Sequence, residues 1–172
     1  MNEDTRIRQA APGDATAVAE ILHEAVGWLS EASMPLWEAG EIDSVAIRAD
    51  VDAGCYLIGE ISGELGGVLR FQLEDPVFWP EVRERDAAYV HRMAVRRRLA
   101  GKGLSSALLA TAAARASELG RRYLRLACPA SRPQLRAVYE DFGFQHHSER
   151  QVGPYFVSRY EYEVRLPAAG PP

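Results

Sequence analysis

The chain has 172 residues, enough for one domain with a substantial core and too few for two ordinary catalytic domains. Apolar residues make up 47% and charged ones 26%, a globular composition that excludes disorder over most of the length. Twenty basic against 24 acidic side chains leave a net charge of -4, so the chain as a whole gains no attraction for a phosphate backbone, and nucleic-acid binding would need a local basic patch. Two cysteines, Cys55 and Cys128, can form neither a disulfide framework nor a four-ligand zinc site, which predicts a reduced, cytoplasmic setting. The acidic start Met1-Asn2-Glu3-Asp4 is unlike a signal peptide, and no apolar run has membrane-spanning length, so secretion and membrane insertion are not expected.

In chain order, Thr5 to Ala10 reads as a strand, and Pro12-Gly13-Asp14 punctuates it, with Asp14 placed to cap the next helix. That helix carries Val18, Ile21, Leu22, Ala25 and Leu29 on one stripe. Ser30 to Asp52 is acidic, contains Trp37, and suits one or two helices. Cys55 to Glu60 and Leu65 to Leu73 form β-like runs joined at Ser62-Gly63, the pattern of a hairpin. Glu74 to Asp86, with Pro76 and Pro80, reads as a loop. Ala87 to Val95 returns to strand, Gly103 to Leu119 is an alanine-rich helix, and Tyr123 to Cys128 is another strand. Pro133 opens a helix that Gly143 stops, and Phe144 to Gln151 and Tyr155 to Leu166 are strand-like. The expected fold is a single α/β (α+β) domain over residues 1–166, a mixed, mostly antiparallel sheet of six or seven strands with helices on both faces, followed by a disordered tail at 167–172. An exposed C-terminal strand could pair across a homodimer.

The most informative segment runs from Tyr89 to Leu109, a strand passing through an Arg/Gly loop directly into a helix. The first N–H groups of a helix have no internal partner, and its dipole adds partial positive charge, so such a junction holds an anion. Gly101 and Gly103 allow close approach of backbone to ligand, Arg96, Arg97, Arg98 and Lys102 add charge, and Ser105 and Ser106 add hydroxyls. A pyrophosphate is the natural guest. An isolated turn of this composition would more simply be solvated punctuation, but the flanking strand and helix favour the anion site. A P-loop requires Ser or Thr after its lysine, and Lys102 is followed by Gly103. The third glycine of a dinucleotide fingerprint is also missing.

Arg98-Leu99-Ala100-Gly101-Lys102-Gly103 resembles the Q/R-x-x-G-x-G/A motif of the GCN5-related N-acetyltransferases, the GNAT superfamily, in which this loop binds the pyrophosphate of acetyl-CoA. Val95 precedes it at matching spacing, the following helix continues with Ala107-Leu108-Leu109, and Val138-Tyr139-Glu140-Asp141-Phe142-Gly143-Phe144 resembles the family's LYxxxGF segment. The likeness extends over nearly the whole chain. It departs at Ala100, where Arg is frequent, at Ser105, where Gly is common, and at Arg132, where an Asn often contacts pantetheine.

The resemblance implies acetyl-CoA as cosubstrate, with Met93, Ala94, Val95, the run 98–106 and Arg132 around it, the strands 87–95 and 123–128 splayed apart, and the Met93 N–H at the thioester carbonyl. It implies direct transfer to a primary amine of a small molecule or peptide, with Tyr139 as the acid that protonates the sulfur. His91 is the candidate base, an imidazole suited to proton removal near neutral pH that strand alternation places beside Tyr89 and Met93. Glu74, Glu81, His146, His147 and Glu149 are alternatives. Trp37, Glu74 and Trp79 are candidate acceptor contacts, because aromatic and acidic groups suit a cationic amine. His146 and His147 point to opposite faces of a strand, so no metal is expected. Cys128 is read as a packing residue. The competing function is a catalytically silent acyl-CoA-binding domain, which the unusual Arg132 favours.

Overall fold

The computed structural model describes residues 4–31 and 39–170. Its elements are β1 (Thr5–Gln9), α1 (Ala15–Glu31), α2 (Ser44–Asp52), β2 (Tyr56–Ile61), β3 (Glu64–Gln72), β4 (Ala87–Val95), α3 (Leu104–Glu118), β5 (Tyr123–Pro129), α4 (Pro133–Phe142), β6 (Gln145–Val152) and β7 (Tyr155–Glu163). The strands form one sheet in the order β1-β2-β3-β4-β5-β7-β6, in which β4 and β5 are parallel and the pairs β1–β2, β2–β3, β5–β7 and β6–β7 antiparallel. The mixed, mostly antiparallel α/β architecture expected from the sequence is therefore the one observed. Two compact units can be distinguished, residues 1–71 with 92–110 and residues 72–91 with 111–172, and both β4 and α3 contribute to each.

In the first unit, α1 buries Val18, Ile21, Leu22, Ala25 and Val26 at helical spacing, against Ile47 and Val51 of α2 and Tyr56, Ile58, Val68 and Ala94 of the strands. Each fully buried Ile or Leu contributes about 1.5–3 kcal/mol, so this stripe, more than helix propensity, fixes α1. Asp43 caps α2, its carboxylate accepting from the N–H groups of Val45 and Ala46 at 3.2 Å. Asp14 does not cap α1 as its position suggests. It closes a short turn over Pro12–Asp14, accepts from the Ala11 N–H at 2.7 Å, and is gripped by both Arg8 nitrogens at 2.5 and 3.0 Å, because the 3₁₀ turn places it ahead of the helix proper. Ser62 and Gly63, both at positive φ, make the tight turn of the β2–β3 hairpin.

In the second unit, β5 is central: it pairs with β7 from Tyr123↔Glu163 to Pro129↔Val157, and β7 pairs with β6. The C-terminal strand is thus interior and the sheet ends at β6, so the dimer pairing imagined for an exposed β7 has no free edge there. The β6–β7 register slips between His146 and Ser148, a bulge at His147 that removes the simple alternation expected of the two histidines. Pro133 starts α4, and Gly143 ends it at φ 122°, where a Cβ would also press on the Tyr162 ring at 3.3 Å. Pro167 to Gly170 have no regular structure, and residues 171–172, like Trp37, lie outside the described residues.

Candidate active site

The first unit holds the candidate anion loop. Strand β4 gives way to a 3₁₀ turn over Arg97–Leu99, and α3 starts at Leu104, with Gly101 and Gly103 at φ 76° and 86° between them. Those angles strain any residue with a Cβ, and nothing crowds either glycine, so both present backbone to open space. The first helical bond across the junction is Ala107 N–H to Gly103 O at 3.0 Å, which leaves the amides of 104–106 pointing out of the helix end.

What seats this loop is a glycine patch. Gly59 on β2 and Gly67 on β3 are register partners, and Gly66 adjoins them. A Cβ on Gly59 or Gly67 would meet Leu104 side-chain carbons at 2.8 and 2.9 Å, and one on Gly66 would collide with Leu99. Leu99 and Leu104, buried at the two ends of the loop, drop into the space left by three missing side chains. The Arg96 N–H also donates to Gly66 O at 2.7 Å. The sequence signal for this seat is the pair Gly66-Gly67 inside a strand.

The cationic character read from the sequence is largely spent on structure. Arg96 pairs with Glu24 at 2.5 Å and donates to Leu65 O at 3.1 Å, Arg97 lies over the Trp28 ring at 5.2 Å, and Arg98 pairs with Glu64. Arg97 and Lys102 have no ion-pair partner among the described residues, and of these two Arg97 is spent on the Trp28 ring. The loop offers backbone and one lysine rather than an arginine cluster. Ser105 and Ser106 stand on the first turn of α3, half-buried and exposed, and Ala100 is exposed.

The second unit holds the side-chain candidates. The parallel ladder joins only Ala87–Tyr89 to Tyr123–Arg125, while β5 continues to Pro129 paired with β7. Val90 and His91 thus lie beyond the ladder. Immediately after them Arg92 has φ 48°, uncommon for a residue with a side chain, so the alternation that placed His91 and Met93 on one face does not carry across it. Met93 and Val95 are half-buried, and Ala94 belongs to the core of the first unit.

Tyr139 on α4 is buried, its ring edge-on to Phe144 at 5.9 Å and tilted to Tyr160 at 6.4 Å. Burial pushes its phenol well above the ordinary tyrosine value, with the Cys128 thiol adding to the rise. Cys128 is itself pushed up to about 12 by the same dry surroundings, so it stays a thiol, consistent with packing. Arg132 stands at the N-cap of α4, its carbonyl accepting from Arg136 N–H at 2.9 Å.

Among the alternative bases, Glu81 is engaged by Arg159 at 2.5 Å and Arg150 at 3.4 Å. Burial works to raise its carboxyl, but the backbone and Arg159 hydrogen bonds with both arginine charges outweigh it and hold it below the ordinary range. Glu74 is an open surface group, 4.0 Å from Arg85. Glu149 accepts from the Ser158 hydroxyl at 3.3 Å, His146 stands edge-on to Tyr160, and His147 Nδ1 is 2.8 Å from Ser148 Oγ. His91 differs: only 17% exposed, it has Nε2 3.3 Å from Oδ2 of the buried Asp75. The sequence places Asp75 in the acceptor-side run Glu74 to Trp79 but gives no sign of its approach to His91; the Asp-Pro start of a tight turn is its one local signal.

Trp79 is not an open platform for an amine. It is 1% exposed, with Arg159 and Arg125 at 4.5 and 5.2 Å from the ring centroid and the His147 edge at 5.0 Å, because the loop 74–86 folds inward at this point. Among the described residues no cluster of three His, Cys, Asp or Glu side chains is arranged for a metal, and no helix is long and apolar enough to cross a membrane.

Residues 16–144 match the acetyltransferase (GNAT) family model, three-quarters of the chain. The chain belongs to the GNAT family. It is thus an acyltransferase by family, and the loop 98–103 and the Tyr139–Phe144 segment fall inside the match. An uncharacterized N-acetyltransferase of Bacillus subtilis, YesJ, is 25% identical over 139 residues, 77% of each chain. A GNAT acetyltransferase of Listeria monocytogenes has the same fold, with a TM-score of 0.74 at 23% identity over 92% of this chain and 94% of that one. The Salmonella typhimurium protein yncA, solved with acetyl-CoA, gives 0.73 at 19% identity over 97% and 98%. At these identities the two structures speak to the fold.

Proposed function

We propose that this GNAT protein transfers an acetyl group from acetyl-CoA directly to a primary amine of a small molecule or peptide. The observation that carries the reading is the loop 98–103: two uncrowded glycines at positive φ leading into a 15-residue helix whose first amides lie ahead of its first internal hydrogen bonds. That arrangement fits a pyrophosphate, and Lys102 adds a charge that is not spent on another side chain among the described residues. Acetyl-CoA supplies the activated acyl group. Arg132 at the head of α4 and the bent segment Met93–Val95 are assigned to its pantetheine arm, and reduced Cys55 and Cys128 suit a cytoplasmic setting.

The chemistry forms a nitrogen–carbon bond and breaks the carbon–sulfur bond, so one proton must leave the amine and one must reach the sulfur. His91 takes the first and Tyr139 gives the second. A buried phenol with a raised pKa is fully protonated at working pH but is a weaker acid than in water. Glu74 and the segment containing Trp37 remain the proposed acceptor contacts.

Release of free thiol from acetyl-CoA with a panel of amines tests the reading. Turnover with at least one amine, lost in Tyr139→Phe, is expected. Tight CoA binding with no turnover by any acceptor would instead make the protein a silent acyl-CoA-binding domain.

A further inference from the structure

The loop between β3 and β4 contains a buried carboxylate that the transfer reaction has not yet used. Asp75 has a side chain only 3% exposed. Its Oδ1 accepts from the N–H groups of Val77 and Phe78 at 3.2 and 2.9 Å, and its carbonyl accepts from Trp79 N–H at 3.1 Å, which ties the carboxylate into a tight turn. The turn is pinned in its own right, because Phe78 O accepts from Arg159 at 3.1 Å and Trp79 sits between Arg125 and Arg159. Oδ2 is left over. It is buried with no hydrogen-bond donor aligned on it, and the atom 3.3 Å away is His91 Nε2, which is equally buried and equally without a partner. Two orphaned, complementary atoms at this distance need only a small rotation of the imidazole to align.

We infer that Asp75 is a positioning residue that holds His91 as the Nε2–H tautomer, so that Nδ1 carries the lone pair that receives the amine proton. The inference rests on His91 acting as base in the transfer proposed above. The geometry makes it specific. A carboxylate has no proton to give, so Nε2 must donate, and a neutral imidazole with Nε2 protonated has its acceptor at Nδ1. The proton taken from the amine goes onto Nδ1, giving an imidazolium whose charge the Asp75 carboxylate offsets, and it is passed on to solvent as the cycle closes. No oxidant, metal or further reactant is required.

The carboxamide of Asp75→Asn tests this sharply, because the turn dictates its orientation. The amide oxygen must stay on the Val77 and Phe78 N–H groups, which turns the NH2 toward His91. Nε2 then has to accept, and the proton moves to Nδ1. Long-range ¹H–¹⁵N spectra of labelled protein at about pH 8.5, roughly two units above the ordinary imidazole value, read the tautomer directly, with His91 assigned from its absence in His91→Gln. The expected result is Nε2–H in the natural protein and Nδ1–H in Asp75→Asn, with kcat for acetyl transfer reduced about 10²–10⁴-fold and KM for acetyl-CoA within twofold. A Nδ1–H tautomer in the natural protein overturns the inference, as does an unchanged tautomer in the variant or a flipped tautomer with kcat intact. Should Asp75→Asn fail to fold, the natural protein's spectrum decides alone. The spectrum needs neither substrate nor turnover, so a wrong tautomer leaves acetyl transfer standing, and absence of acetyl transfer leaves the tautomer standing.

Discussion

The anion loop of the first unit and the His91–Tyr139 residues of the second are built by opposite means. In the proposed reading the loop works with main-chain amides, since its arginines are occupied elsewhere, Arg96 with Glu24, Arg97 on Trp28 and Arg98 with Glu64. The proposed roles of the second set rest on single side-chain atoms placed by distant residues: Asp75 beside His91, and the Phe144 and Tyr160 rings around Tyr139. A backbone site tolerates side-chain exchange, so on the proposed reading the departures at Ala100 and Ser105 should cost little. A side-chain site has no such slack.

The largest effect is therefore expected from one atom. Tyr139→Phe should lower kcat about 10²–10⁴-fold while leaving the stabilisation by CoA unchanged, read by thiol release and thermal unfolding. Equal losses in both would make Tyr139 a packing residue and erase the contrast. Next come the glycines beneath the loop. Gly67→Val drives a side chain into Leu104 and Leu108 and should cost about 1–3 kcal/mol in denaturant unfolding, with weaker acetyl-CoA binding because the loop loses its seat. Full affinity in this variant would show that the loop does not depend on the patch. Gly101→Ala forces φ 76° on a residue with a Cβ, a strain of about 1–2 kcal/mol, whereas Ser105→Ala should stay within about 0.5 kcal/mol in both stability and affinity.

Legibility followed the same division. The loop could be read because its determinants are consecutive: a strand, two glycines and a helix start, from Tyr89 to Leu109. The hairpin at Ser62-Gly63, the loop 74–86 and the helix from Pro133 to Gly143 were legible for that reason too. The charge of the loop was misjudged because Glu24, Trp28 and Glu64, which absorb it, are remote in sequence. Trp79 looked like a surface aromatic until Arg125 and Arg159 closed over it, and Asp14 looked like a cap of α1, but its carboxylate turns back onto Arg8 and the Ala11 N–H. Asp75 and His91 meet only through the fold of the intervening loop, and no local pattern announces such a pair. The positive φ at Arg92 likewise has no residue signature.

A further small effect is expected away from both sites. The Arg8 hydrogen bond holds the Asp14 carboxyl below its ordinary value, so its contribution to stability is present above the unfolded-state pKa and is lost as pH falls through the lower folded value. Asp14→Asn should be less stable than the natural protein by no more than about 1 kcal/mol at pH 7, with the gap closing below about pH 4. Turnover should be unaffected. A change in acetyl-CoA affinity would mean that this end of the first unit is coupled to the loop.

The most direct test of the central claim, that the loop 98–103 is a backbone site for the pyrophosphate of CoA, is thermal unfolding of the protein with acetyl-CoA, CoA, NAD and ATP, each in excess. Binding to the native state must raise its stability, by about 2.7 kcal/mol at 100 times Kd. The account predicts a shift with acetyl-CoA and with CoA, retained in Arg98→Ala and diminished in Gly67→Val. No shift with CoA, or a preference for NAD or ATP, would contradict it.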